Sequence, residues 1–196
     1  MGVDHRVVLS DGRTVSDADT GDQDGGAVLY LHGAPGSRMQ AGGPVSDAAA
    51  ALGLRLVAPD RPGYGSSSFA PYRVVDYPAM LARFADALGI ERFGVLGTSG
   101  GGRYAHACAV ALPDRVTRVA LVASTAPANL PGVPETWSRA DRRLYTTAKM
   151  APWLLRLLLA RTSRRSGDNR TACWAWSRTC QSPTSGRWPA PMSKHW

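Results

Sequence analysis

The stretch that most constrains this chain is Phe93-Gly94-Val95-Leu96-Gly97-Thr98-Ser99-Gly100-Gly101-Gly102-Arg103-Tyr104-Ala105. An apolar run ends in a Gly-x-Ser-x-Gly turn and continues into helix-forming residues, so the spacing predicts a strand, a sharp turn and a helix. A serine pushed to the tip of such a turn leaves no room for Cβ atoms at Gly97 and Gly101. The following helix would present the backbone N–H of Gly100 and the positive end of its dipole where a carbonyl oxygen could become an oxyanion. Ser99 is therefore a candidate nucleophile, although a Gly/Ser-rich turn after a buried strand also serves packing alone.

Two further strand ends carry motifs. Ala27-Val28-Leu29-Tyr30-Leu31 runs into His32-Gly33-Ala34-Pro35-Gly36-Ser37, and Leu56-Val57-Ala58-Pro59 runs into Asp60-Arg61-Pro62-Gly63-Tyr64-Gly65-Ser66-Ser67. With these three motifs in this order, from about Arg6 to about Asp168, the sequence resembles the α/β-hydrolase family. The resemblance implies Ser99 as nucleophile, the N–H groups of Gly100 and Ala34 as oxyanion hole, and a structural role for His32. It further implies an acyl substrate, such as an ester or amide, and no cofactor.

The rest of the pattern fits an α/β protein, a three-layer sandwich with a mostly parallel sheet. Val7-Val8-Leu9 and Thr14-Val15 read as two short strands around Asp11-Gly12, and Asp22 to Gly26 as a loop. A helix is expected over Ala48–Leu52, closing at Gly53, and another after the N-cap candidate Asp76, with Met80, Leu81, Phe84 and Leu88 at helical spacing. The helix after Ser99 should run from about Gly100 to Leu112, and Val116–Ala123 is a further apolar strand. Residues 1–125 thus form a partial hydrolase core. Ser138 and Asp141 form a capping box for a helix to about Met150 and Pro152 opens a second helix to Leu159; the resemblance implies that residues 126–168 are the start of a helical lid, in which Trp137 and Trp153 line the lid or simply pack its helices.

A serine hydrolase also needs a base and an acid, which the family places after later strands that this pattern lacks. No acid is assignable, and no histidine is a convincing base. His5 precedes the first strand, His32 belongs to the loop, and His106 lies seven residues along the helix, about 10 Å from Ser99 along its axis. His195 stands in the last two residues. The fold is therefore expected to lack its last strands, and activity to be impaired.

The net charge of +8 belongs largely to the end of the chain, because residues 169–196 hold four bases and no acid. Without a basic stripe interleaved with aromatics, nucleic-acid binding is not expected. That end also holds Trp174, Trp176, Trp188 and Trp196 of the six tryptophans, and Cys173 and Cys180 of the three cysteines. It reads as an aberrant, disordered tail from a GC-rich gene translated in a second frame, since a one-nucleotide shift near Asn169 yields an acidic, amphipathic, helix-like segment. The coding DNA tests this: two further apolar strands, an acid and a histidine should follow in the shifted frame.

Cys173, Cys180 and His195 lack tetrahedral metal-site spacing, and Cys108 completes no disulfide framework. Gly100-x-Gly102-x-x-Ala105 formally matches a dinucleotide turn, but no acid closes the next strand, leaving a cofactor-binding module or a non-catalytic fragment as the alternative. The first residues form no signal peptide and no apolar segment is long enough to span a bilayer. A cytoplasmic protein with no membrane partner is expected, prone to self-association through the edge strand 116–123.

Overall fold

The computed structural model describes residues 3–124, 126, 130–154 and 157. Its centre is a six-stranded sheet with the order β1-β2-β4-β3-β5-β6. The strands are β1 (Val3–Val8), β2 (Thr14–Gly21), β3 (Gly26–Leu31), β4 (Leu54–Pro59), β5 (Phe93–Thr98) and β6 (Val116–Val122). The pairs β1–β2 and β2–β4 are antiparallel, whereas β4–β3, β3–β5 and β5–β6 are parallel. The parallel strands are joined through helices α1 (Pro44–Ala51), α2 (Tyr77–Ala87) and α3 (Gly102–Ala111).

Apolar side chains on both faces of the inner strands make this a three-layer arrangement. On one face Leu29, Leu31, Val57 and Val95 pack with Leu81 and Phe84 of α2 and Ala105 and Cys108 of α3. On the other, Tyr30, Leu56 and Ala58 pack with Ala49 of α1 and Ala41. The mostly parallel α/β architecture read from the motifs is the one observed.

β2 departs from the expectation of a short Thr14–Val15 strand. It continues to Gly21 through Ser16-Asp17-Ala18-Asp19-Thr20, all buried. A polar run has no hydrophobic alternation to announce it, yet pairing on both edges satisfies its backbone. Its side chains find partners across the sheet: Arg55 Nη2 donates to Asp19 at 2.6 Å, and Ser16 Oγ donates to Asp60 at 3.0 Å.

Asp76 stands at the N-cap of α2, as expected, but its side chain does not cap the helix. Its carboxylate turns back to accept from the Arg73 N–H and guanidinium at 2.9 Å, and α2 has no side-chain cap. The preceding 3₁₀ turn, Val74–Asp76, sets the carboxylate against Arg73 instead.

At the sheet edge, β6 pairs only with β5 among the described residues. Beyond Val116, which packs on the core, its apolar side chains stay in solvent, with Val119, Leu121 and Val122 exposed by 41%, 48% and 51%.

The chain divides into two compact units, Met1–Trp137 and Ser138–Trp196. In the second, α4 (Arg139–Met150) begins at Ser138, whose Oγ accepts from Asp141 N–H at 3.1 Å and donates to the Asp141 carboxylate at 2.6 Å. Pro152–Leu154 and Leu157 are helical. The remainder of the expected second helix and residues 169–196 lie outside the described residues, as do Cys173, Cys180 and His195.

Candidate functional site

The site lies where β5 ends. Ser99 takes φ of +48°, a left-handed conformation unusual for a side-chain-bearing residue, and Ser99–Gly101 form one 3₁₀ turn before α3 starts at Gly102. The helix thus begins two residues later than the spacing predicts. The glycines are sterically required. A Cβ on Gly97 would lie 2.7 Å from Gly102 Cα and 2.8 Å from Ala105 Cβ, and one on Gly101 would collide with Leu31 O and sit 2.7 Å from His32 O. Gly102 adds a requirement the motif did not announce, because a Cβ there would collide with Ser124. These contacts assign the glycine run to packing of the turn against protein atoms, which weakens the dinucleotide-loop alternative.

The same turn meets the loop after β3. A Cβ on Gly100 would lie 3.3 Å from Ala34 N, and one on Gly33 would lie 3.3 Å from Ser99 Cβ. Ser99, Gly100 and Ala34 are therefore brought together at the carboxyl edge of the sheet, as the motifs suggested. Ser99 is half-buried and Ala34 exposed, and among the described residues Ala34 N–H and the Ser99 hydroxyl have no hydrogen-bond partner. One residue back, Thr98 Oγ1 is 2.9 Å from Tyr30 Oη, tying the end of β5 to β3.

Behind Ala34 stands a polar cluster in which the resemblance assigns a role, a structural one, to His32 alone. His32 is fully buried and its Nε2 accepts from Arg61 N–H at 3.2 Å, which makes Nδ1 the protonated nitrogen that donates to Gly33 O at 2.9 Å. Burial, and then the Arg61 charge, push its pKa down to about 4, so the ring is neutral near pH 7. The buried Arg61 guanidinium donates to His32 O and to Gly33 O, the latter at 3.0 Å, and lies over the rings of Tyr64 and Tyr104 at 4.8 and 4.9 Å. Asp60 accepts from Ser16 Oγ and from Arg38 N–H and guanidinium. The available signal was a charged pair, Asp60-Arg61, placed directly after an apolar strand.

His5, expected ahead of the first strand, lies within β1, because the pairing with β2 begins at Val3, and His195 lies outside the described residues. His5 is 3.7 Å from Asp17 at the far side of the sheet, and His106 is exposed on α3. Among the described residues no His, Asp or Glu hydrogen-bonds Ser99, and no three His, Cys, Asp or Glu side chains cluster as metal ligands. Cys108 is buried in the core, with its thiol pushed up to about 12 by burial.

A layered sheet with a left-handed serine at the carboxyl end of a central parallel strand defines an α/β fold of the hydrolase type. A family model for the alpha/beta hydrolase fold matches residues 26–183, and the chain belongs to that family. The match runs past Asp168, where the recognisable motifs stop. Over 105 residues the chain is 40% identical to the dihydrolipoyllysine-residue acetyltransferase component of the acetoin cleaving system of Cupriavidus necator, covering 50% of this chain and 27% of that protein. Among solved structures, Cfl2 from Burkholderia cenocepacia superposes with TM-score 0.60 at 27% identity, covering 83% of this chain and 56% of Cfl2. The 2-hydroxy-6-oxo-6-phenylhexa-2,4-dienoate hydrolase from Rhodococcus sp. strain RHA1 gives TM-score 0.57 at 27% identity, covering 66% and 49%. The chain thus spans little more than half, or less, of each of these relatives.

Proposed function

We propose that this chain carries the nucleophile half of a serine hydrolase acting on an ester, amide or related acyl substrate. The observation that carries this reading is Ser99 at φ +48°, beside an unpartnered Ala34 N–H. In the proposed step Ser99 Oγ bonds to the acyl carbon, the bond to the leaving group breaks, and the carbonyl oxygen gains charge against Gly100 N–H and Ala34 N–H. The nucleophile is Ser rather than Asp, which favours acyl chemistry over dehalogenase-type alkyl transfer.

Among the described residues no base is placed to take the hydroxyl proton, so in this reading it passes to solvent or buffer. Acylation is therefore expected to be slower than in a complete triad by about 10³-fold or more. Incubation with p-nitrophenyl acetate followed by peptide mass analysis tests the reading: acetyl should appear on Ser99 and be absent in Ser99→Ala. Labelling elsewhere, or release of nitrophenol unchanged in Ser99→Ala, would overturn it. Turnover at the rate of a full triad would instead require a base among the residues not described, with His195 first to be substituted.

We also infer that two copies associate through β6, since a strand whose outer edge is unpaired among the described residues, with Val119, Leu121 and Val122 exposed, is a template for another strand. Light scattering should show dimers or larger species that Leu121→Lys shifts to monomer, with a stability change within about 0.5 kcal/mol because the side chain is half in solvent. A wild-type monomer at high concentration would count against the interface. No described helix is long and apolar enough to cross a membrane.

A further inference from the structure

We propose that Arg61 is a positioning residue: with His32 it holds the Gly33–Ala34 peptide so that Ala34 N–H faces the Ser99 side. The proposal rests on the serine-hydrolase reading for its catalytic consequence but not for its geometry.

The Gly33–Ala34 bond is not among the cis peptides, so its C=O and N–H point in opposite directions from one plane. Whatever holds Gly33 O thereby aims Ala34 N–H. Two buried donors hold it, Arg61 Nη2 at 3.0 Å and His32 Nδ1 at 2.9 Å. The preceding peptide is gripped at both ends, with His32 O accepting from Arg61 Nη1 and Gly33 N–H donating to Gln40 Oε1 at 2.8 Å. Two successive peptide planes are fixed in this way. Ala34 N–H is left without a partner beside Gly100, on the side opposite the Arg61–His32 cluster.

Arg61 is an expensive residue for packing alone. Its guanidinium is buried, has no carboxylate partner among the described residues, and leaves Nε without a hydrogen bond. Asp60, next in the chain, spends its carboxylate on Arg38 and Ser16. What Arg61 does hold is carbonyls, and a cation on Gly33 O also polarises that peptide and makes Ala34 N–H a stronger donor. Neutral His32 complements it, because Arg61's own N–H fixes the ring tautomer that donates to the same oxygen.

Arg61→Lys and Arg61→Met test the proposal by two readouts. The first is the Ser99 acetylation rate per folded molecule: Arg61→Met should lower it about 100-fold, the cost of one misplaced oxyanion donor, with half-saturation by substrate changed less than about twofold. Arg61→Lys, which keeps the cation and one donor, should recover about tenfold of that loss. The second, independent of activity, is the Ala34 amide resonance in ¹⁵N-labelled protein. Wild type should give one sharp peak, and Arg61→Met a shifted or split one, with Lys intermediate. If Met fails to fold, the Lys variant alone decides. An Ala34 resonance unchanged in the folded variant overturns the proposal even if Ser99 is never acetylated. Equal acetylation per folded molecule overturns it where Ser99 does react.

Discussion

Gly101→Ala is expected to yield no folded protein. The added Cβ would collide with the carbonyl oxygen of Leu31 and stand 2.7 Å from that of His32. Both are backbone atoms where β3 ends, Leu31 being paired with Gly97 of β5 and His32 following it, so they cannot retreat without opening that pairing. Overpacking against backbone at such a place should exceed about 4 kcal/mol, a large share of the stability of a domain of this size. Gly26→Ala is the control, because a Cβ there would meet only Leu54 Cδ2 at 3.8 Å. Circular dichroism and urea unfolding of the two variants make the comparison. A Gly101→Ala protein with a near-wild-type midpoint would refute the close-packed turn.

The second large effect is expected at Asp17, where substitution should stabilise. Its side chain is fully buried, neither carboxylate oxygen has a hydrogen bond, and His5 Nδ1 stands 3.7 Å away. Burial pushes the carboxyl up to about 6, and the attraction of His5 only partly offsets it. Between an unfolded value near 3.8 and the folded value near 6, the folded state binds the extra proton. This group therefore favours folding at low pH and costs stability as pH rises through 6, by about 3 kcal/mol at most at pH 7. Asp17→Asn should raise stability at pH 7.5 by about 2 kcal/mol and leave it nearly unchanged at pH 4.

His32 works with the opposite sign. Its folded pKa of about 4 lies below the ordinary 6.5, so the stability of the neutral ring is present above 6.5 and lost as pH falls toward 4. In the wild type the two slopes offset each other between pH 4 and 6. In Asp17→Asn only the His32 slope remains, and stability should fall on acidification by about 2–3 kcal/mol across that window. Asp11 and Asp76, surface groups held down to about 2 by arginines, titrate below it. Urea denaturation from pH 4 to 7.5 checks both claims: a flat profile for Asp17→Asn would refute the His32 slope, and no gain over wild type at pH 7.5 would refute the Asp17 effect.

The parts of the molecule legible in the amino-acid order are those set by neighbours in the chain. β3, β4 and β5 are apolar runs because both faces of an inner parallel strand are buried. The turn at Ser99 is legible because glycine spacing records steric demands within a few residues, and Ser138 with Asp141 announces α4 because a cap is bonded over three residues. The juxtaposition of Ala34 with Gly100 was legible only through resemblance, since no local rule links a loop after β3 with a turn after β5.

The sequence by itself therefore determined the class of fold, the three strand-end motifs and the identity of the candidate nucleophile, because each follows from local sterics and from the period of apolar residues. Only the tertiary structure decided that the polar run 16–20 is an inner strand and that Asp17 is buried with its oxygens unpartnered. It alone showed Arg61 gripping the carbonyls of His32 and Gly33 from twenty-nine and twenty-eight residues away along the chain. The reason is physical: the environment of a charge or a strand edge is set by segments distant in sequence, and nothing in a residue's own neighbourhood encodes which segment will arrive.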